Sequence, residues 1–242
     1  FRFDGAHAHW GETWDPNTVK PENRERMLKN LMRSLEFTAE FGAGVLVIHP
    51  GYSALEADPV HPVGEMRKRG IETLETLLPY AEKLGVSIAL ENNISPVDTP
   101  AELLAICRHF DSPHLGCCLD TGHAHMMAFA PEKDTAEMHD FARRLWNNDL
   151  NLYRGDAAEE LAPYILCCHL HDNDGLRDWH RLPGDGTIDW PHIMGVLAEA
   201  PRLVCLQNEA CPSASKASLA RSVRVFRALC NQYGTFRNLS FL

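Results

Sequence analysis

The sequence predicts an α/β protein whose parallel strands close into a (β/α) barrel, and two observations carry that prediction. Short apolar runs without alternation alternate with amphipathic helical segments, which calls for a buried parallel sheet with helices outside it. From the second run onward, each ends in a residue able to bind a metal: His49, Glu91, Asp120, His169 and Glu209. In a barrel the strand tips converge on one mouth, whereas an open doubly wound sheet gathers ligands mainly at one switch point. At 242 residues, 45% of them hydrophobic, one domain spanning residues 1–242 is the expectation.

The elements follow in order. Phe1 to His9 reads as a short strand with His7 and His9 on one face. Glu22 to Phe41 places Met27, Leu31, Leu35, Phe37 and Ala39 at roughly helical spacing, and Gly42 and Gly44 stop it. Val45 to Ile48 is a fully buried strand, a helix runs from Gly64 to Leu84, and Val86 to Leu90 is the next strand, ending in Glu91-Asn92-Asn93. Thr99-Pro100 caps a helix through His109, and the strand Leu115 to Leu119 leads into Asp120-Thr121-Gly122-His123. A long helical region, Pro131 to Ala162 with a polar break, precedes the strand that starts at Ile165. That strand sends His169 and His171 to one face, with His169 favoured as a ligand because it lies nearer the strand end. The loop beyond it offers Asp172, Asp174, Asp178 and His180 to a divalent cation, Pro183 to Gly186 turns, and Ile188-Asp189-Trp190 opens a helix. Leu203 to Leu206 is the last strand, and Ser215 to Gln232 the last helix.

Glu91 and Glu209 carry the strongest single signals. A carboxylate directly after an apolar strand is buried and uncompensated unless a cation stands near it. A site of two glutamates, one aspartate and one histidine is rich in hard oxygen donors and suits Mn²⁺ or Mg²⁺ while tolerating Zn²⁺. Adding His7, His49, His123, Asp178 and His180 makes it nitrogen-rich and polynuclear, which favours Zn²⁺. Trp10, Trp14 and Trp179 are candidate stacking surfaces for a sugar ring on loop walls such as 8–17, 52–62 and 126–134.

Composition sets the exclusions. A formal charge of −10 disfavours a nucleic-acid partner held by a broad basic surface. Eight cysteines without CxxC spacing argue against a zinc ribbon or a disulfide scaffold and fit a reducing cytoplasm. No apolar run is long enough to span a bilayer, and no signal peptide is evident.

The pieces VLVIHPG, IALENN, CCLDTGHAHM, CCHLHDNDG, DWHRLPGDGTIDW and VCLQNEA, in that order, resemble the xylose isomerase-like TIM barrels. That family groups sugar isomerases and epimerases with the endonuclease IV type of nuclease. The resemblance implies a (β/α)8 TIM barrel with a principal metal held by Glu91, Asp120, His169 and Glu209. It implies that His7 and His49 match the ligands of a second metal, and His123, Asp178 and His180 those of a third. The wording is most similar to the sugar phosphate isomerase/epimerase branch. About six strands are legible where the fold needs eight, and the chain begins at Phe1 in a strand, so the first two βα units are expected to be absent from the sequence, the alternative being that neighbouring chains complete the barrel.

The expected activity is a metal-dependent isomerisation or epimerisation of a sugar or sugar phosphate by proton abstraction next to a metal-chelated carbonyl. Glu91 and Glu209 would move the proton while His123 orients the substrate, and a homo-oligomer is compatible with this reading. The alternative is a trinuclear-zinc phosphodiester hydrolase of the endonuclease IV type. A third class is a catalytically silent scaffold.

Overall fold

A computed structural model describes residues 3–51, 62–128, 130, 134–136, 138, 140, 146 and 153–233. Its strands are β1 (Gly5–His7), β2 (Val45–Ile48), β3 (Ser87–Glu91), β4 (Leu115–Asp120), β5 (Ile165–Leu170) and β6 (Cys205–Asn208). Between and after them lie α1 (Pro21–Glu40), α2 (Val63–Leu84), α3 (Pro100–Phe110), α4 (Thr121–Met127), α5 (Ala157–Leu161), α6 (Trp190–Glu199) and α7 (Leu219–Tyr233). All the strands pair in parallel in the order β1-β2-β3-β4-β5-β6. The sheet curls far enough that a Cβ added at Gly5 in β1 would lie 2.8 Å from Gln207 Nε2 in β6. The result is a nearly closed α/β barrel of six parallel strands among the described residues, where the complete fold has eight.

Local chemistry explains the element ends. Pro21 occupies the start of α1, where its missing N–H costs nothing. Gly85 ends α2 at φ 69°, the left-handed conformation that glycine adopts freely. Asp120, Asp156 and Asp189 cap α4, α5 and α6, each accepting a hydrogen bond from a backbone N–H three residues on.

Period-two alternation divides the strand side chains into two sets. Leu46, Ile48, Ile88, Leu90, Leu115, Leu119, Cys168 and Leu170 pack in the main core with helix residues such as Met27, Leu31, Leu35, Leu74, Leu77 and Leu103. The opposite set fills the barrel with Val45, Val47, Ala89, Cys118, Leu166, Cys167 and Cys205. A register shift between Cys117 and Cys118 lets β5 place both Leu166 and Cys167 in that inner layer.

Two expected boundaries move. The first strand shortens to Gly5–His7, and the last helix begins at Leu219, because residues 212–216 form turns instead. Much of the expected helix over 131–162 lies outside the described residues; within them, Ala157–Leu161 is helical. No helix among the described residues is long and apolar enough to cross a membrane.

Candidate metal centre

The parallel register sets Asp120 beside His169, and the same alternation that buries the cysteine layer turns both side chains into the barrel above it. Glu91 ends β3, and Glu209 follows β6 directly. His169 Nδ1 stands 3.2 Å from Glu91 Oε2, 3.2 Å from Glu209 Oε2 and 3.8 Å from Asp120 Oδ2. Donors sharing one ion at ~2.1 Å in tetrahedral geometry lie roughly 3.4 Å apart, so these four side chains are gathered at ligand spacing. Glu91 Oε1, His169 Nδ1, His171 Nδ1 and Glu209 Oε2 are buried without a hydrogen-bond partner. Each such atom costs about 1–3 kcal/mol unless something completes it, and the chemistry of the set fits a divalent cation.

The tips are held by side chains that imitate backbone. Asn92 Nδ2 donates to the Asp120 carbonyl at 3.0 Å, and Asp120 N–H donates to Asn92 Oδ1 at 2.9 Å. Thr121 Oγ1 sits 3.1 Å from the His169 carbonyl and 2.8 Å from that of His171. His171 Nε2 lies 3.0 Å from both Asp120 oxygens. Its ring rests on Gly122, where a Cβ would approach His171 Cε1 to 2.0 Å, so only glycine allows this packing. The His-Leu-His alternation was the sequence signal for His171; favouring His169 alone missed its bond to Asp120. Asn92 was visible only as a polar residue after a strand.

The remaining expected residues ring this cluster. His7 Nδ1 donates to the Ala8 carbonyl at 2.6 Å, leaving Nε2 3.2 Å from Glu91 Oε2. His49 Nε2 stands 2.8 Å from the same oxygen. His123 Nδ1 is 3.4 Å from Glu91 Oε1 and from Asp120 Oδ1, and its Nε2 is 3.4 Å from Asp178 Oδ2. His180 Nε2 is 2.9 Å from Asp178 Oδ2, and its ring stacks on His171 with centroids 3.9 Å apart. Further groupings bring donor atoms within 4.8 Å of one another, among them His7 with His49 and Glu91, His7 with His169 and Glu209, His123 with Asp178 and His180, and His171 with His180 and Glu209.

The acids of the β5–α6 loop separate. Asp172 is fully buried and accepts from Gly184 N–H at 2.8 Å, Ile188 N–H at 3.2 Å and Trp190 Nε1 at 2.8 Å. Asp174 accepts from Trp179 Nε1 at 3.0 Å and from the Leu176 and Arg177 amides. Both are committed to shaping the loop, which corrects the expectation that they face a cation; Asp178 and His180 do reach the cluster.

Electrostatics follow from crowding imidazoles against enclosed carboxylates. Burial alone would raise the Glu91 carboxyl, but His169, His49 and His123 hold it well below the usual range. Burial likewise opposes the lowering of Asp120, and His123 and His171 overcome it. The imidazoles move the other way: His169, against burial, is raised by Glu91 and Glu209, and His123 by Asp120, Asp178 and Glu91. His180 is pushed up to about 9 by Asp178. The carboxylates thus draw positive charge into the mouth.

A cavity of about 430 Å³ opens over the cluster. His7, His49, His123, Asp178, His180 and Glu209 line it together with Trp10, Asn93 and Asp98. Of the tryptophans, Trp10 reaches this cavity, Trp14 stacks on His9 with centroids 5.5 Å apart, and Trp179 is paired with Asp174. The expected wall at 52–61, and part of the one at 126–134, lie outside the described residues.

Known proteins resemble this chain in sequence and in fold. An uncharacterized protein of Methanocaldococcus jannaschii, MJ1311, is 28% identical over 198 residues, covering 80% of this chain. The chain spans 59% of that relative's length. Among solved structures, one titled D-tagatose 3-epimerase-like protein is 24% identical with a TM-score of 0.66, covering 95% of this chain and 77% of that one. The IOLI protein with a bound zinc atom superposes with a TM-score of 0.70 at 18% identity, covering 97% of this chain and 78% of that one. The 3-keto-D-glucoside 4-epimerase YcjR of E. coli gives 0.63 at 17% identity, covering 94% and 78%. These structures share the fold. The model of the xylose isomerase-like TIM barrel matches residues 5–229, and the chain belongs to that family.

Proposed function

We propose that the chain is a divalent-metal-dependent isomerase or epimerase of a sugar or sugar phosphate. The observation that carries this reading is the pair of carboxylates, Glu91 and Glu209, each 3.2 Å from His169 Nδ1 beneath one open cavity. A divalent cation held by Glu91, Asp120, His169 and Glu209 would supply Lewis-acid polarisation of a carbonyl and its neighbouring hydroxyl. Around it, Glu91 and Glu209 take a proton from carbon and return one, at positions three strands apart on the barrel rim. His123, buried between Asp120 and Asp178, orients substrate oxygens. Trp10, more than half exposed at the cavity wall, offers a flat surface to a sugar ring. The structural neighbours named as epimerases, and the zinc atom in another neighbour, the IOLI protein, support this reading.

The test is solvent exchange. Incubated in deuterated water with a panel of ketoses and their phosphates, the metal-loaded protein should exchange a substrate C–H for deuterium. Glu209→Gln should lower that rate by about 10³-fold while the chain stays folded. Undiminished exchange removes Glu209 from the chemistry.

A second reading, a polynuclear phosphodiester hydrolase, draws on the His123, Asp178 and His180 grouping. Among the described residues the cavity lining includes no Lys or Arg, which favours the first reading over one that must neutralise phosphates. The cytoplasm is the proposed location, since all eight cysteines are free thiols.

A further inference from the structure

Two of the histidines around Glu91, His7 and His49, are prepared in opposite ways. His7 gives its Nδ1 proton to the Ala8 carbonyl at 2.6 Å, so in the neutral ring its Nε2 carries the lone pair. That is the arrangement of a metal-ligating histidine, whose other ring nitrogen donates to a carbonyl. His49 has a different neighbour. Its Nδ1 lies 3.3 Å from Asn93 Nδ2. The amide of Asn93 is held in that orientation because its Oδ1 accepts the Ile94 N–H at 2.8 Å. Turning the amide over would set Nδ2 against the Ile94 N–H, donor against donor. Ile94 is anchored in turn, its carbonyl accepting from Trp146 Nε1 at 3.1 Å. With an amide donor facing it, Nδ1 of a neutral His49 accepts, and the ring proton sits on Nε2. There it faces Glu91 Oε2, 2.8 Å away and the nearer acceptor, with His7 Nε2 at 3.1 Å.

We infer that Asn93 fixes His49 in the Nε2–H tautomer, making His49 a hydrogen-bond donor that positions Glu91 rather than a ligand of a second cation. The inference rests on the reading of the mouth as a cation site and refines it. His7 can join a cation with His169 and Glu209 without help from His49, because those three already bring donor atoms within 4.8 Å of one another. His49 then acts through Glu91: its proton occupies one lone pair of Oε2 and turns that carboxylate. Asn93 becomes the residue that decides whether His49 can join a cation. An acceptor at position 93 would draw the proton to Nδ1 and free Nε2 for a metal.

The tautomer can be read on the metal-free chain, so it is decided independently of metal binding or activity. Long-range ¹H–¹⁵N spectra of histidine-labelled protein should show His49 protonated at Nε2 and His7 protonated at Nδ1; His49 protonated at Nδ1 overturns the inference. On adding Zn²⁺, the His49 Nε2 resonance should remain that of a protonated nitrogen, and a shift to the metal-bound range also overturns it. Bound zinc, counted by elemental analysis after dialysis, should be equal in wild type and His49→Gln. A loss of one ion per chain in His49→Gln refutes the inference. Asn93→Asp should move the His49 proton to Nδ1 and bind one additional zinc per chain. If Asn93→Asp does not fold, the wild-type spectra and the His49→Gln count still decide.

Discussion

The barrel interior has two storeys, built from alternate residues of the same strands. The lower holds Val45, Val47, Ala89, Cys118, Leu166, Cys167 and Cys205. One side-chain step up stand Glu91, Asp120 and His169. Burial does not tell them apart, since Cys118, Cys167, Glu91 and Asp120 all have 0% exposure. Satisfaction does. The lower storey is content with dispersion and apolar contact, whereas the upper keeps buried polar atoms without partners and carboxylates whose acidity depends on neighbouring imidazoles. The difference teaches that a strand buys its fold with one residue and its chemistry with the next.

Substitutions on the two storeys should therefore have opposite signatures. The largest effect is expected above. Asp120→Asn should weaken divalent-metal binding by roughly 100-fold or more, measured by calorimetric titration. Its metal-free melting point should barely move, because an asparagine oxygen still caps α4 at the His123 amide. A large loss of metal-free stability would erase the distinction. Below, Leu166→Ala should cost about 2–5 kcal/mol in denaturant unfolding while metal affinity stays within a few-fold of wild type. Leu166 is 5% exposed and packs against Gly116, so the deletion leaves a void that no polar group can use.

Asp98 sharpens the contrast, being a buried acid on the cavity wall whose oxygens are satisfied by the Ser95 hydroxyl and amide. Burial pushes its carboxyl up to about 8. The unfolded chain releases that proton near pH ~3.9, so between there and pH 8 the folded state holds a proton that the unfolded state has lost. Stability contributed by Asp98 is thus complete in acid and falls as pH rises through this window, by up to ~1.4 kcal/mol per unit. Asp98→Asn should flatten the fall between about pH 5 and about pH 7 in urea unfolding. Parallel wild-type and variant curves would show that burial does not shift this acid.

How much of this was legible in the sequence follows from which forces are local. The strand tips were readable because an apolar run that ends in Glu91, Asp120 or His169 announces burial and polarity together. The parallel order followed from alternation of strand and helix. Helix α4 was not foreseen: its seven residues start immediately after the strand's last residue, too short for a periodic signal. Nor could the sequence separate Asp172 and Asp174 from Asp178. Which acid turns inward depends on where Gly184, Ile188 and Trp190 place their donors, contacts the chain makes only once the loop has closed. Asn93 belongs to the same class, since its meaning lies in which way an amide faces.

Asn92 carries a consequence for motion. Its side-chain amide makes with Asp120 the two bonds that a peptide group would make in a neighbouring strand, so the β3–β4 ladder gains a rung beyond the last backbone pair. The tip of β4 cannot fray alone, because releasing Asp120 N–H means breaking a closed two-bond ring together with the strand beside it. Opening there is priced with the sheet and not with the loops. The mouth thus sets a metal-facing rim tied into the sheet beneath a cavity wall that carries Trp10.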